Sequence, residues 1–473
     1  MTTLPNTNPP LYSAYVPAPD YSRLPSSGEQ RLQATPTTRA TPKGTVVKKD
    51  RHITVILEDQ CDNAVIPTYS RGAAVRGFII IDGLTSLAEV SVKINGRLEA
   101  TSTKVGVVFF DVIADTHNIW SSNNPENDLF RNTSPGPIPF CIRLRSSYKY
   151  DGADHPLPPT FHAAVSGVPG LYVDISYSLT FSVTGVKRRQ IGHWNQTKRL
   201  DVPFRYHPRM QPPGPIMRTA DFFSAVKLSP DGWHQSVGVV EASGDFKPIE
   251  LHFFIPSDRV FGVKDIIQFH IQLIGPIRSL RELFLPPPRS DPLTKSSSNN
   301  VWTPFNQHNT TGKMSKSPTS KDEDAPPILQ VSLVRQVSIE VDGARAWKNL
   351  TIGEGTVLPL PPPINWLESD LKVDPSRSTN VGPPPVFDGT SLDREESLDW
   401  GGEIQVIPED TGSSSSASSN KPVGSFSAGG VVVRDFIVVS AVPPKSRRTW
   451  QELRLPVSIR LVSDSYIDIP PEF

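Results

Sequence analysis

The residues best equipped to do chemistry in this chain lie near its start. Pro9-Pro10-Leu11-Tyr12 is a PPxY segment. Consecutive prolines pre-set an extended polyproline helix, so little entropy is lost on docking; the prolines fit an aromatic groove and the tyrosine the neighbouring pocket, the recognition mode of WW domains. Ala18-Pro19-Asp20-Tyr21 lacks the first proline, which leaves Pro19 and Tyr21 as a poorer second site. Pro384-Pro385-Val386-Phe387 and Pro470-Pro471-Glu472-Phe473 carry phenylalanine in place of the tyrosine and are not counted as sites. Lys187-Arg188-Arg189, extended by Lys198 and Arg199, is a basic cluster suited to anionic lipid or to a phosphate-bearing tail. Catalytic patterns are missing: there is no GxxxxGK[ST], no strand-associated GxGxxG, no HExxH, no CxxC and no GxSxG. The ten histidines are scattered along the chain, so no metal, cofactor or enzymatic activity is expected.

The elements that must carry these segments read as β-strands. Leu171 to Val183 is apolar or aromatic at every odd position, and Asp, Ser or Thr at every even position from Asp174 to Ser182. Alternation of that length predicts one long strand with one buried and one wet face. Ile53, Val55 and Leu57 share a face; Val75 to Ile81 suits a central strand; Ala88 to Ile94 runs into Asn95-Gly96, a dipeptide preferred in tight hairpin turns. Val105 to Ile113, Ile249 to Ile255, Asp265 to Ile274, Val331 to Val341, Val431 to Val439 and Leu453 to Leu461 supply further strands, and Ile277 to Leu285 a short helix.

Composition sets the boundaries. The 473 residues carry 48 Lys+Arg and 48 Asp+Glu, so no global field favours nucleic acid. The 49 prolines are about twice the usual share and cluster in polar stretches that cannot build a core. Residues 1–44 read as a disordered tail, 45–190 as a first β-sandwich, 191–215 as a basic, proline-rich linker, and 216–473 as a second sandwich with inserts at about 286–327 and 361–422. The fold class is therefore all-β, with two tandem antiparallel sandwiches. Cys61 and Cys141 read as two buried thiols rather than a disulfide. No signal peptide or membrane-spanning run is apparent, and a cytoplasmic location is expected.

Ile138 to Val183 resembles the N-terminal domain of the arrestin family. The family's "pFxf-l" strand, "LPpSF" loop and "v-Y-l-a-v" strand are matched by Pro139-Phe140, by Leu157-Pro158-Pro159-Thr160-Phe161 and by Ser176-Tyr177-Ser178-Leu179. The resemblance covers about Ile53 to Val183, with a fainter one to the arrestin C-terminal domain from about Leu200 to Val462, and the α-type arrestins of fungi are most similar. It implies two immunoglobulin-like sandwiches in an adaptor that links cytoplasmic segments of a membrane transporter or receptor to a WW-domain ubiquitin ligase, promoting ubiquitination and endocytosis. It also implies peripheral recruitment to the plasma membrane or endosomes. The PPxY segment here precedes the first domain, whereas α-type arrestins commonly carry theirs after the second. A retromer-like arrestin-fold trafficking scaffold without ligase recruitment is the alternative.

Overall fold

The computed structural model describes residues 33–34, 43–82, 87–122, 136–168, 170–189, 192–219, 221–284, 327–361, 394–407, 423–444 and 449–468, with backbone alone at 33–34, 186–189 and 192–195. The first half holds β1 (Gln33–Ala34), β2 (Gly44–Lys49), β3 (Ile53–Gln60), β4 (Thr68–Tyr69), β5 (Ala74–Ile81), β6 (Leu87–Ser102) and β7 (Gly106–Ser121). It continues through β8 (Ile138–Arg143), β9 (Ser147–Tyr150), β10 (Ala153–Pro156), β11 (Phe161–Val165), β12 (Leu171–Arg189), β13 (Gly192–Tyr206) and β14 (Met210–Gln211). The second half opens with helix α1 (Phe222–Leu228), β15 (Trp233–Val240), β16 (Ile249–Pro256), β17 (Val260–Gly262), β18 (Ile267–Pro276) and helix α2 (Ile277–Phe284). It ends with β19 (Leu329–Val341), β20 (Ala344–Pro359), β21 (Glu395–Ile404), β22 (Phe426–Ala428), β23 (Val431–Ala441) and β24 (Leu453–Val462). Apart from the two short helices and one 3-10 turn, the described secondary structure is all β.

Strand β12 forms as its alternation predicts: Leu171, Val173, Ile175, Tyr177, Leu179, Phe181 and Val183 are all buried. One edge of it pairs with β6 from Leu171 to Gly185. The other edge is shared, by β11 up to Ile175 and by β13 from Tyr177 onward. The resulting six-stranded sheet, which includes β4 and β7, faces the four-stranded sheet β2-β3-β5-β8 across a single hydrophobic core. Phe140 and Phe181 meet edge to face across the gap, 5.5 Å between centroids. The second half is one ten-stranded sheet in the order β15-β16-β18-β21-β20-β19-β23-β24-β17, with β22 beside β23. It curls round a second core, because the long β20 pairs with β19 over its first part and with β21 over its last.

Strands β19 and β23 run through both cores. Leu329, Val331, Leu333, Ile437 and Val439 belong to the second, whereas Val337, Ile339, Val431 and Val433 belong to the first. Between the two sets, on the same buried face, stand Arg335 and Asp435, directly paired across the strands. Asp435 accepts from Arg335 Nε at 2.8 Å and Nη2 at 3.1 Å, and from Ser425 Oγ at 2.7 Å; Arg335 Nη2 also donates to the Val423 carbonyl at 2.7 Å. A buried charge survives only when paired and hydrogen-bonded, and both conditions are met here. The β22–β23 turn, Gly429-Gly430, has positive φ at both residues (49° and 80°) and lies against the Phe110 ring, where any side chain on Gly429 would collide. Phe161 and Phe426 add an edge-to-face contact at 5.2 Å between the halves.

Several expectations need correction. Asn95-Gly96 makes no turn but lies within β6, and the hairpin to β7 turns at residues 103–105. A Cβ on Gly96 would come within 2.5 Å of Ile113 Cγ2 and 2.6 Å of the Tyr177 ring, so the glycine makes room rather than a bend. The interval expected as a linker, 191–215, contains β13, which pairs with β12 over thirteen positions, a long ladder whose outer residues are polar and so hide the strand pattern. The expected insert at 361–422 contains β21, a central strand of the second sheet. Within the expected tail, β1 pairs antiparallel with β14, and β2 already begins at Gly44. Cys61 and Cys141 are free and exposed rather than buried, because Cys141 falls on the outward positions of β8 and Cys61 just past the end of β3. Strands β15 and β20 are additions, missed because each carries glycines and an interrupted alternation.

Candidate functional site

Pro9, Pro10, Leu11, Tyr12, Pro19 and Tyr21 lie outside the described residues. Lys187, Arg188 and Arg189 fall at the end of β12, where the backbone pairs them with Trp194, His193 and Gly192 of β13. Pairing of β12 with β6 ends at Gly185, so these residues occupy a two-stranded extension beyond the sheet. Lys198 and Arg199, opposite Val183 and Ser182, lie on the same hairpin closer to the sheet, and Arg199 is exposed.

The residues that carry the resemblance converge on one seam. Tyr177 stands where β11 gives way to β13 along the edge of β12, and its hydroxyl donates to the Pro158 carbonyl at 2.6 Å. The Thr160 amide donates to the Tyr206 carbonyl at 2.9 Å, and the Tyr206 amide donates to Thr160 Oγ1 at 2.9 Å. The proline-rich loop therefore plugs the gap between two strands that share an edge. Prolines suit that place because they lack the amide that a ladder would need. Tyr177 packs its ring against Phe204 and Tyr206 (5.6 and 5.5 Å), and Tyr69 meets Phe204 edge-on at 5.4 Å. Burial holds the phenols neutral: it pushes Tyr206 up to about 12, and Tyr69 and Tyr177 well above the ordinary tyrosine value.

At the opposite end of β12, three loops from both halves form an exposed crest that sequence reasoning missed. The β6–β7 turn touches the β11–β12 turn, Gly170 N donating to Thr103 Oγ1 at 3.2 Å. The β19–β20 hairpin joins them: Lys104 lies 6.0 Å from the centroid of the Trp347 ring, and Lys348 reaches Gly167. The crest exposes Val107 (65%), Phe109 (54%), Val168 (96%) and Trp347 (51%), a density of large apolar side chains found where a partner or membrane is met. Arg97 sits 4.7 Å over Phe109, and with Lys104 and Lys348 it gives the crest three cations. Glu99 and Asp111 lie opposite Phe109 and Arg97 in the ladder. The sequence signal that was available is the pair of aromatics at exposed strand ends, Phe109 and Trp347, which alternation alone cannot distinguish from core.

Among the described residues no group of three or more His, Cys, Asp or Glu side chains has an arrangement suited to a metal ion. No described helix is long and apolar enough to cross a membrane. Compared with known proteins, the chain matches no family profile and no curated protein.

Proposed function

We propose that the chain is an arrestin-like adaptor of two β-sandwich domains, joining a WW-domain ubiquitin ligase to the cytoplasmic segments of a membrane transporter or receptor. The observation that carries this reading is the seam: of the residues on which the resemblance rests, Tyr177 is bonded to Pro158 and Thr160 is bonded twice to Tyr206 of β13, at the point where β12 changes partners. Motif and geometry thus agree on one local construction. Pro9 to Tyr12 docks the ligase, with Pro19 and Tyr21 as a weaker second segment. The crest of Val107, Phe109, Val168 and Trp347, rimmed by Arg97, Lys104 and Lys348, receives the cargo segment, since exposed aromatics with adjacent cations fit the apolar, anionic-lipid-flanked ends of membrane proteins. The basic hairpin at Lys187 to Arg189 supports peripheral attachment to the same membrane. No step of this role calls for a cofactor.

The test is a titration of the full chain with an isolated WW domain. Wild type binds, and Tyr12→Ala removes the binding while leaving the folded body intact by circular dichroism. Equal binding by the two proteins refutes ligase recruitment and leaves the scaffold alternative.

A further inference from the structure

A sheet edge presents unpaired N–H and C=O groups that invite another strand, and proteins blunt such edges by short length, charge, proline or a break in register. The terminal strands of the three larger sheets follow that rule with one exception. β4 and β17 are two and three residues long. β2 carries Lys48, Lys49 and a register shift after Gly44; β7 carries Asp111, Asp115 and two register shifts against β6; β8 carries Pro139 and Arg143. β15 runs for eight residues, WHQSVGVV, with no Asp, Glu, Lys, Arg or Pro and an unbroken register against β16. Its Val237 (51%) and Val239 (39%) are exposed. β24 leaves this edge open, since it pairs with β23 and, at its end, with β17. The two meet only where Ala242 bridges Trp450: the Ser243 amide donates to the Thr449 carbonyl at 2.7 Å and the Gln451 amide to the Glu241 carbonyl at 3.0 Å. Backbone groups of successive residues turn to opposite sides of a strand, so Gln235, Val237 and Val239, in phase with residues 241 and 243, turn theirs to the same edge. No described strand meets them there.

We propose that β15 pairs antiparallel with β15 of a second copy of this chain, joining two second-half sheets across a two-fold axis. An isologous contact sets one surface against itself, so that surface must not repel its own image. β15 meets the condition, having no charged side chain to oppose a like one. An overlap centred on Gly238 sets Val237 of each copy against Val239 of the other, and such cross-strand β-branched pairs stabilise a sheet. A strand without charge gives a foreign segment no electrostatic pattern to read, whereas its own image matches it in length, polarity and alternation. The pairing satisfies the open backbone groups of Gln235, Val237 and Val239 and covers both exposed valines. This inference goes beyond the adaptor reading and does not depend on it.

The experiment is sedimentation equilibrium on the full chain. A contact between two short strands is small, so the dissociation constant is on the order of 10 μM and the mass doubles by about 100 μM. Val237→Lys with Val239→Lys sets like charges across the axis and raises that constant at least about tenfold. Val237→Glu with Val239→Glu does the same, and an equimolar mixture of the two variants restores the dimer. Wild type that stays monomeric at about 100 μM, a lysine variant that dimerises as wild type does, or a mixture that stays monomeric overturns the proposal. If either variant loses its fold by circular dichroism, amide exchange on wild type decides: protection at Gln235, Val237 and Val239 grows with protein concentration, and exchange there that ignores concentration overturns the proposal as well.

Discussion

Asp435→Ala tests the boundary between the two cores. The carboxylate is fully buried and accepts three hydrogen bonds, two from Arg335 and one from Ser425. Removing it leaves the Arg335 guanidinium, itself 8% exposed, with the neutral Val423 carbonyl as its only remaining acceptor in this network. An uncompensated buried charge of this kind costs about 3–5 kcal/mol. Urea unfolding followed by tryptophan fluorescence reads this directly. With a slope of about 3 kcal/mol per molar, the midpoint falls by about 1–1.7 M. The paired change Arg335→Met with Asp435→Leu removes both charges together and returns most of that loss, since apolar residues of similar volume replace buried ion pairs at little or no cost. Ser425 then lacks an acceptor for its hydroxyl, which keeps the double variant about 1 kcal/mol or more below the best case. A single variant that loses less than about 1 kcal/mol would mean that water reaches Arg335. A double variant as unstable as the single would mean that charge is not the issue.

Gly96→Ala places a methyl group against Ile113 and against a Tyr177 ring fixed by its bond to Pro158, so it destabilises by about 1–3 kcal/mol in the same assay. At an unconstrained site the same change would add up to about 1 kcal/mol, and a stabilised variant would refute the packing described. At alkaline pH, Tyr69, Tyr177 and Tyr206 ionise less readily folded than unfolded, so the stability they contribute is complete below about pH 10 and is lost as pH rises from there through about 12. Phenolate absorbance and circular dichroism recorded together should show at least three of the ten tyrosines titrating only as the fold is lost, and uniform titration near pH 10 in a folded protein would contradict their burial.

What was legible in the sequence was whatever period two could carry. Strand β12 begins at Leu171 and buries its odd positions as expected, although it runs six residues past Val183 to Arg189, and β23 and β24 fall within one or two positions at their ends. Asn95-Gly96 misled because the dipeptide that favours tight turns is also the one that yields space: Gly96 admits a ring, and Asn95 Nδ2 donates to Thr180 Oγ1 at 3.1 Å on the wet face. Strand β21 escaped notice because Gly401 and Gly402 interrupt it and proline- and serine-rich sequence surrounds it. The crest was unreadable for a different reason. It is assembled from turns more than 200 residues apart, and whether Phe109 or Trp347 faces water depends on register, which no local pattern states.

Strands β19 and β23 impose a timetable on biosynthesis. Val337, Ile339, Val431 and Val433 complete a core whose other strands end at Tyr206, about 230 residues earlier. At about 5–20 residues per second, the ribosome takes on the order of 10–45 s to deliver the last of them. Until β19 emerges nothing in the chain covers that apolar surface, and afterwards the cover stays partial, which makes the nascent first half a client for chaperones until the final hairpin arrives.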